Sequence, residues 1–517
     1  EYGENGTYRV NAYVDGPILE DKLFLGLSGS WSETEGYMEN NYPGEDYFDG
    51  NHSFKAKALL NWFVTDRMKI RFHSGASRIR NTNGAVVRSD EVCYSATRDP
   101  DDKMDTDIMN LGMSLTYEWD EIELTSVSTF SDNETNLRQN LNYYRPEPAW
   151  IGLGELENSI FTQELRVQSK NEGNRFKWLG GLYYSQGDEN IIESGSIMNT
   201  QATLGYDKQK DYPGDTKEET FSAFGQVTIP LIKKVDFTAG LRYERVHKEL
   251  NFRYNETRLD TNEVLNHVAY DIEDDWDAFL PKGTLSWGLN NNALIYASVS
   301  KGYLAGGLNA YETIKERAKF DEQTSLDYSL GAKTQWLDRR LSLNIELFYM
   351  DIEDIHVYSM PQPYVFVASN AGEAHSKGIE VEAKARPIKG LDLVAQFGWI
   401  NAEYDEYSGY EGNKIYGTPE YTVNLSAQYR HTSGLFARAE MQGNGETYYN
   451  DANTDSQTSY EIYNMKIGYE ASRWDLYFYC QNIMDEEYFS YGRSIGIGTI
   501  KEVGDPRTFG VVVSFSY

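Results

Sequence analysis

Apolar and polar residues alternate along most of this chain, and the C-terminal residues 508–517 (TFGVVVSFSY) show the pattern most clearly. One face of this segment is apolar, and it consists of Phe509, Val511, Val513, Phe515 and Tyr517. The stretches 235–245 (VDFTAGLRYER) and 474–482 (WDLYFYCQN) alternate in the same way. A period of two predicts β-strands with one apolar and one polar face.

The connections between these strands come in two lengths, which alternate along the chain. Short turns such as 337–340 (LDRR) and 431–434 (HTSG) are separated by long polar connections such as 32–53. No segment of useful length shows the 3.6-residue period of a helix. We predict twenty-one complete strands, and those compared with the structure below are 68–81, 276–290, 365–388, 474–491 and 500–517.

Long two-faced strands in an antiparallel meander predict a transmembrane β-barrel. Its apolar face meets lipid, its polar face lines a lumen, and closure pairs the backbone groups of every strand. A soluble sandwich would need shorter strands. A β-propeller or a β-helix would need a repeated sequence motif, which we do not find.

The first residues, EYGENGTYRV, decide the strand count. The C-terminal strand and the first complete strand, 7–18, both run toward the short-turn side, so an upward strand must precede residue 7. Glu1 and Tyr2 are predicted to end that strand, and GENG (3–6) is the loop after it. Single-chain bacterial barrels have an even number of strands, which gives twenty-two. A lumen of that width is too large for barrel side chains to fill and calls for a plug.

The composition is rich in aromatic residues, and the net charge argues against a nucleic-acid partner. Tyr contributes 40 residues, Phe 22 and Trp 10, and the formal net charge is −32, whereas a phosphate backbone requires a basic surface. Aromatic girdles at the membrane interfaces are expected. The tryptophans predicted to form them, near strand ends, are Trp62, Trp178, Trp336 and Trp474.

Five segments, taken in order, resemble TonB-dependent outer-membrane transporters of the iron-complex (siderophore) receptor type. They are 223–244, 294–309 (LIYASVSKGYLAGGLN), 370–387 (NAGEAHSKGIEVEAKARP), 477–489 (YFYCQNIMDEEYF) and 504–517. The matching positions include Asn370, Gly372, Lys377, Gly378, Glu380, Asn482, Asp485 and Tyr488. The resemblance covers essentially all 517 residues, and each segment alone is weak evidence.

This resemblance implies that residues 1–517 are the barrel domain, with a truncated first strand and with the N-terminal plug domain and TonB box absent. The plug would belong to a longer chain or to a separate polypeptide. Substrate would bind from outside, and TonB–ExbB–ExbD would drive its import. Other expected partners are outer-membrane lipid, lipopolysaccharide and the barrel assembly machinery, which would recognise the terminal strand. The expected location is the bacterial outer membrane.

Motifs for other chemistry are missing, so we predict neither an enzyme nor a cofactor or metal site. The glycine-rich stretch 302–307 (GYLAGG) is interpreted as a bend or a close approach of strands. The segment 451–456 (DANTDS) lacks the glycine and the glutamate of a calcium loop, because Ser456 and Ile462 stand in their places. A bridge between Cys93 and Cys480 is not expected.

The long connection 133–158 is the candidate substrate site. Tyr143, Tyr144 and Trp150 offer flat apolar faces, and Arg145 could meet an anionic group, although these rings could equally pack the loop against its neighbours. The acidic clusters 99–102 and 271–277 are placed at loops or their edges. They are interpreted as solvated charge or, alternatively, as sites where divalent cations bridge to lipopolysaccharide phosphates.

The predicted function is TonB-powered import of a scarce chelate, with a ferric siderophore as the leading substrate. Cobalamin, haem or a saccharide could use the same barrel. A passive pore or an adhesin is the alternative class. General porins have fewer strands, and an outer-membrane enzyme would need a catalytic constellation.

Overall fold

Within the residues that the structure describes, twenty-two antiparallel strands form one closed barrel. The fold comes from a computed structural model that describes residues 1–517 apart from 43, 45, 83–85, 88–90, 100, 141–149, 171–175, 363–364 and 495–497. In chain order the barrel strands are Tyr2–Gly3, Thr7–Leu19, Leu23–Thr34, Asn51–Thr65, Met68–Asn81, Lys103–Glu118, Ile122–Asn140, Trp150–Ser169, Lys177–Met198, Lys208–Asp211 continued by Gly214–Ile232, Val235–Arg258, Glu263–Asn290, Ala293–Leu304, Gln323–Trp336, Leu341–Glu353, Glu373–Ala385, Leu391–Tyr404, Tyr421–Arg430, Leu435–Asn444, Tyr460–Glu470, Trp474–Gln481 and Thr508–Phe515.

Shorter elements lie in the long connections at one end of the barrel. The loop strands are Glu39–Asn40, Val86–Val87, Ser95–Ala96, Gly307–Leu308, Lys319–Phe320, His356–Gln362, Val365–Asn370, Thr447–Tyr448, Ser456–Gln457, Phe489–Ser494 and Thr499–Val503. One helical turn spans Gln201–Leu204, and a 3₁₀ turn spans Lys315–Arg317. Among the described residues, no helix has the length and apolarity needed to cross a membrane.

The barrel closes through the short first strand, as the sequence predicted. Tyr2 pairs with Tyr8 on one side and with Val511 on the other, and Gly3 pairs with Gly510. These pairs join the first described strand to the second and to the last, which closes the ring.

Exposed tryptophans mark the short-turn end of the outer face, and Trp62, Trp178, Trp336 and Trp474 all lie there as predicted. A second exposed ring follows eight residues higher on the same face, as in Trp62 to Phe54 and Trp336 to Tyr328. At about 3.4 Å per residue and a tilt of about 40°, this spacing corresponds to about 20 Å of apolar wall, close to the band height of outer-membrane barrels.

Many tyrosines point inward and lie flat on glycines of a neighbouring strand. The ring of Tyr479 covers Gly510, and that of Tyr296 covers Gly331, so that a Cβ at either glycine would overlap the ring. Phe348 covers Gly378 in the same way. These pairs, which are not interfacial, account for part of the high aromatic content and require glycine in the strand interior.

Most differences from the predicted strands lie at their upper ends. The predicted strand 474–491 stops at Gln481, because Asn482 and Asp485 adopt positive φ angles of 47° and 58°. The side chain of Asn482 accepts a 2.8 Å hydrogen bond from the Glu486 N–H, which fixes a turn there. Asx side chains favour such turns over a continued ladder.

Two further boundaries are set by loop packing. Residues 365–370 of the predicted strand 365–388 pair instead with His356–Gln362 as a hairpin, and the barrel strand begins at Glu373. The C-terminal strand is Thr508–Phe515, so Tyr517 lies beyond its end. Phe509, Val511, Val513 and Phe515 share the outer face and pair with the strand Trp474–Gln481.

The prediction that the acidic cluster 271–277 lies at a loop edge is wrong. These residues are inside the 28-residue strand Glu263–Asn290, which pairs with the 24-residue strand Val235–Arg258. Asp271, Glu273, Asp275 and Asp277 alternate there with inward residues such as Trp276, which is buried. Asp274 shares the inner face with Trp276 and pairs with Lys319. The other four acidic residues form the polar outer face of a strand that continues far above the membrane.

Glycines 306 and 307 follow the end of the strand Ala293–Leu304 and pack closely against other elements. A Cβ at Gly306 would overlap the indole of Trp276, which agrees with the predicted close approach. Cys480 faces outward from the strand Trp474–Gln481, whereas Cys93 lies in an upper loop, and both are free thiols.

Candidate functional site

The long upper loops pack together as one cap on the barrel through three hydrophobic clusters. The first joins Met38, Phe48, Val87, Tyr449, Phe489 and Val503 from four loops. The other two join loop residues to the inner face of the strands and consist of Tyr212, Leu250, Phe252, Tyr254 and Val367, and of Ile352, Ile355, Val357, Ala374 and Tyr404. The Tyr37 hydroxyl also donates to the Val503 carbonyl at 2.9 Å. Any surface on this cap is thus held by several loops at once.

A buried ion pair reinforces the first cluster. Lys501 Nζ lies 2.9 Å from the carboxylate of Asp455, and the Lys501 side chain is only 4% exposed. The ammonium group also lies 5.1 Å from the ring centroid of Phe489 and 5.8 Å from that of Tyr449. The pair joins the last upper hairpin to the loop 445–459.

Asp451 ties that same loop to the loop 405–420. Its carboxylate accepts a 2.7 Å hydrogen bond from the Tyr404 hydroxyl, and its carbonyl accepts one of 2.7 Å from the Asn413 side chain. Burial raises the pKa of Asp451, and the bond from Tyr404 opposes that rise. Asn453 in turn accepts from the Lys414 N–H at 2.7 Å. The polar side chains of the segment 451–456 thus fasten loops together.

An aromatic–arginine cluster, consisting of Tyr358, Phe366, Tyr416, Tyr491 and Arg493, forms where three upper loops meet. The Arg493 guanidinium carbon lies 3.5 Å from the ring centroid of Phe366. Burial raises the pKa of Tyr416, and the positive charge of Arg493 opposes that rise. Tyr358 and Tyr491 are 51% and 50% exposed.

This cluster offers flat apolar faces beside a delocalised cation. Rings of tyrosine and phenylalanine stack on other rings, and a guanidinium stacks on aromatic faces or pairs with oxyanions. The arrangement therefore suits a ligand that is aromatic and carries oxygen donors. Sequence inspection missed the cluster because its members come from positions 358 to 493 and share no local motif.

The predicted substrate residues Tyr143, Tyr144 and Arg145 lie outside the described residues. Trp150 opens the strand Trp150–Ser169, but its side chain also lies outside the described part of the structure. Their proposed contact with substrate stays a prediction.

The structure describes Arg138 and Asn140 at the start of that connection, and both contact the buried carboxylate of Asp102. Asp102 accepts a 2.6 Å hydrogen bond from the Asn140 N–H. The Arg138 guanidinium lies 3.7 Å from Asp102 and 3.3 Å from Asp99. Burial, more than any other influence, raises the pKa of Asp102 to about 6, although Asn140 and nearby arginines oppose the shift.

We expect this junction to become more stable as the pH falls from 7.5 to 5. The folded state raises the pKa of Asp102 above its ordinary value of 3.8, so protonation favours the folded junction and the gain develops as the pH passes through about 6. Protease cleavage within 133–158 should slow by several-fold at pH 5 in wild type, measured with an acid-tolerant protease. Asp102→Asn should remove this pH dependence, whereas an unchanged profile in that variant would contradict the assignment.

The lumen wall carries a second polar surface. A cavity of about 520 Å³ there is lined by Tyr296, Lys333, Glu346 and Glu380, among others. Glu346 and Glu380 are directly opposite each other on adjacent strands, and Tyr296 donates a hydrogen bond to Glu346. Carboxylates paired across strands repel each other unless a donor or a cation approaches them.

Twenty-two strands, a wide polar lumen and a cap of packed loops define a large outer-membrane receptor barrel. Residues 28–483 match the family described as "TonB dependent receptor-like, beta-barrel". The match spans most of the chain, so this chain belongs to that family. It is an outer-membrane barrel of the TonB-dependent receptors, a family of transporters rather than of enzymes.

Individual relatives also match this chain in sequence. The pesticin receptor of Yersinia pestis is 24% identical over 522 aligned residues, which cover 98% of this chain and 73% of the relative. The ferrichrome outer membrane transporter/phage receptor of Escherichia coli K12 is 24% identical over 237 residues, 44% of this chain and 31% of the relative.

Solved structures show a similar fold. The ferric yersiniabactin uptake receptor FyuA of Yersinia pestis superposes with a TM-score of 0.88 at 21% identity, covering 100% of this chain and 79% of that one. The siderophore receptor PiuA of Acinetobacter baumannii gives a TM-score of 0.84 at 15% identity, covering 100% and 80%. At these identities the likeness concerns the fold alone.

Proposed function

We propose that this protein imports a ferric siderophore across the outer membrane, with TonB, ExbB and ExbD supplying energy from the inner membrane. The aromatic–arginine cluster carries this proposal, because it lies in the upper loops with Tyr358 and Tyr491 half exposed and matches the oxygen-rich, aromatic character of many iron chelates. The relatives named for ferrichrome and ferric yersiniabactin support the same class of ligand. Residues 143–150 would contribute a second contact.

Import of this kind needs a movable domain in the lumen. We propose that a globular plug outside residues 1–517 fills it and that an extended segment of the same or another polypeptide completes the first strand. One observation supports this. Glu346 and Glu380 present carboxylates to the lumen that suit cationic partners. Barrel assembly machinery would recognise the terminal strand, as in other barrels.

Replacing Arg493 by alanine tests the site. The full-length gene is expressed in an iron-starved host that lacks its own siderophore receptors, and uptake of radiolabelled ferric phenolate, catecholate and hydroxamate chelates is measured. The concentration for half-maximal uptake of the preferred chelate should rise at least tenfold in Arg493→Ala, because the ligand loses its cationic contact.

Arg258→Ala is the matched control. Arg258 also stacks on a ring, that of Tyr206 at 4.5 Å, but it lies at the end of a different strand. It should leave uptake unchanged. Uptake that persists in a host without TonB would indicate a passive pore, and uptake of cobalamin, haem or a saccharide but of no ferric chelate would replace the proposed substrate class.

A further inference from the structure

Carboxylates face outward along the strand Glu263–Asn290 above the apolar band. Asp271, Glu273, Asp275 and Asp277 lie on the same face as Phe279, which is 60% exposed and marks the top of the band. Asp275 is four residues above Phe279, or about 10 Å along the barrel axis. At this height we expect Asp275 to lie beside lipid headgroups rather than beside the extracellular cap.

His247, on the adjacent strand, faces outward into this row. It pairs in register with Asp275, and Glu249 pairs with Glu273. The two ring nitrogens of His247 lie 3.2 Å from the Asp275 carboxylate and 3.3 Å from the Glu249 carboxylate. One ligand atom each from His247, Glu249 and Glu273 lie within 4.8 Å of one another. A cation between them could lie within about 2.8 Å of all three, so small side-chain rotations would reach metal–ligand distances.

The two facing carboxylates favour a cation at this point. Glu249 and Glu273 are directly opposite each other, which is unfavourable for two carboxylates without a shared counter-ion. Arg245 lies 3.2 Å from Asp275 and compensates that side of the cluster. Lys217 is opposite Glu249 on the other neighbouring strand. One imidazole with two carboxylates is a donor set that suits zinc and similar divalent ions.

A recess of about 440 Å³ adjoins the cluster. It is lined by Asp215, Lys217, Glu249, Asn251, Asp271 and Glu273, among others. A recess this size can hold a sugar phosphate, and the amine of Lys217 together with a metal ion would attract its phosphate oxygens. Without a bound cation, the acidic lining would repel the anionic headgroups expected beside it.

We infer that His247, Glu249 and Glu273 form a divalent-metal site on the outer wall of the barrel, and that a phosphate oxygen of a membrane glycolipid completes its coordination. The site lies on the lipid-facing side and does not depend on the proposed siderophore import. It would fasten the tall part of the barrel wall to the outer leaflet.

Zinc titration of the detergent-solubilised full-length protein tests the site directly. Wild type should bind one zinc ion that His247→Gln and Glu273→Gln each weaken at least tenfold. His267→Gln is the matched control. His267 faces outward from the same strand as Glu273, and its ring forms a 2.8 Å hydrogen bond with the Asn255 side chain, away from the cluster. Each variant must migrate as a folded barrel in unheated gels.

Glucosamine 1-phosphate serves as the probe for the open position. It should tighten zinc binding in wild type and leave it unchanged in Lys217→Gln. The metal site is overturned if wild type binds no stoichiometric zinc, or if His247→Gln binds as wild type does. Normal zinc binding with no effect of the sugar phosphate would overturn the glycolipid part alone. Siderophore uptake should persist in all these variants, which separates this result from a failure of the proposed function.

Discussion

Gly510→Val is expected to yield little or no folded barrel. The ring of Tyr479 lies on Gly510 and its hydroxyl approaches Gly3, so a larger side chain at Gly510 must displace the ring. That ring also anchors the chain start, because the Tyr479 hydroxyl donates to the Glu1 carboxylate at 3.0 Å. Overpacking usually costs about 1–3 kcal/mol. Here it falls where Gly510 pairs with Gly3, at the closure between the first and last strands.

Gly29→Val is the control for this prediction. Gly29 also lies within a barrel strand, but a Cβ there meets nothing within 4 Å. The measurement is gel mobility before and after heating, since folded barrels resist unfolding in unheated detergent. Equal folded fractions for the two variants would show that this closure does not depend on the contact between Tyr479 and Gly510.

Lys501→Met should open the cap without unfolding the barrel. Removing one partner of a buried ion pair leaves the other charge uncompensated, which costs about 3–5 kcal/mol in fully buried cases. Asp455 keeps 23% of its surface exposed, so we expect about 3 kcal/mol. The loops of the first hydrophobic cluster should then be cleaved at least tenfold faster by protease added to intact cells.

Two further variants separate the ion pair from general damage. Combining Lys501→Met with Asp455→Leu should restore much of the protection, because no buried charge remains. Arg67→Met removes the exposed pair between Arg67 and Asp120 at the short-turn end and should leave cleavage of the loops unchanged. If Lys501→Met alone is as protected as wild type, the cap does not depend on this pair.

The transmembrane strands can be predicted from the sequence, because one face of each strand meets lipid and apolar residues therefore recur at every second position. The strand 68–81, for example, is predicted with both ends correct. The lower tryptophan girdle follows from the same pattern. The upper ends are less predictable, since side chains such as Asn482 there compete for backbone hydrogen bonds.

The residues of the candidate site are much harder to predict from the sequence. The local concentration of aromatic residues in 133–158 is visible in the sequence, and it led to Tyr143 and its neighbours. Phe366 and Arg493 meet only because separate loops share hydrophobic clusters, and contacts of that kind leave no periodic signal. Strand register pairs Glu249 with Glu273 and places His247 one pair below them on the same face, and register depends on turn lengths rather than on any motif.

The unequal lengths of the strands give the barrel a slanted mouth. The pair Val235–Arg258 and Glu263–Asn290 has 24 and 28 residues, whereas Trp474–Gln481 and Thr508–Phe515, across the ring, have 8 each. The tall pair therefore projects farther from the membrane than the two strands that flank the loop of Arg493. We expect a large ligand to meet more of the barrel wall on the tall side than on the side of that loop.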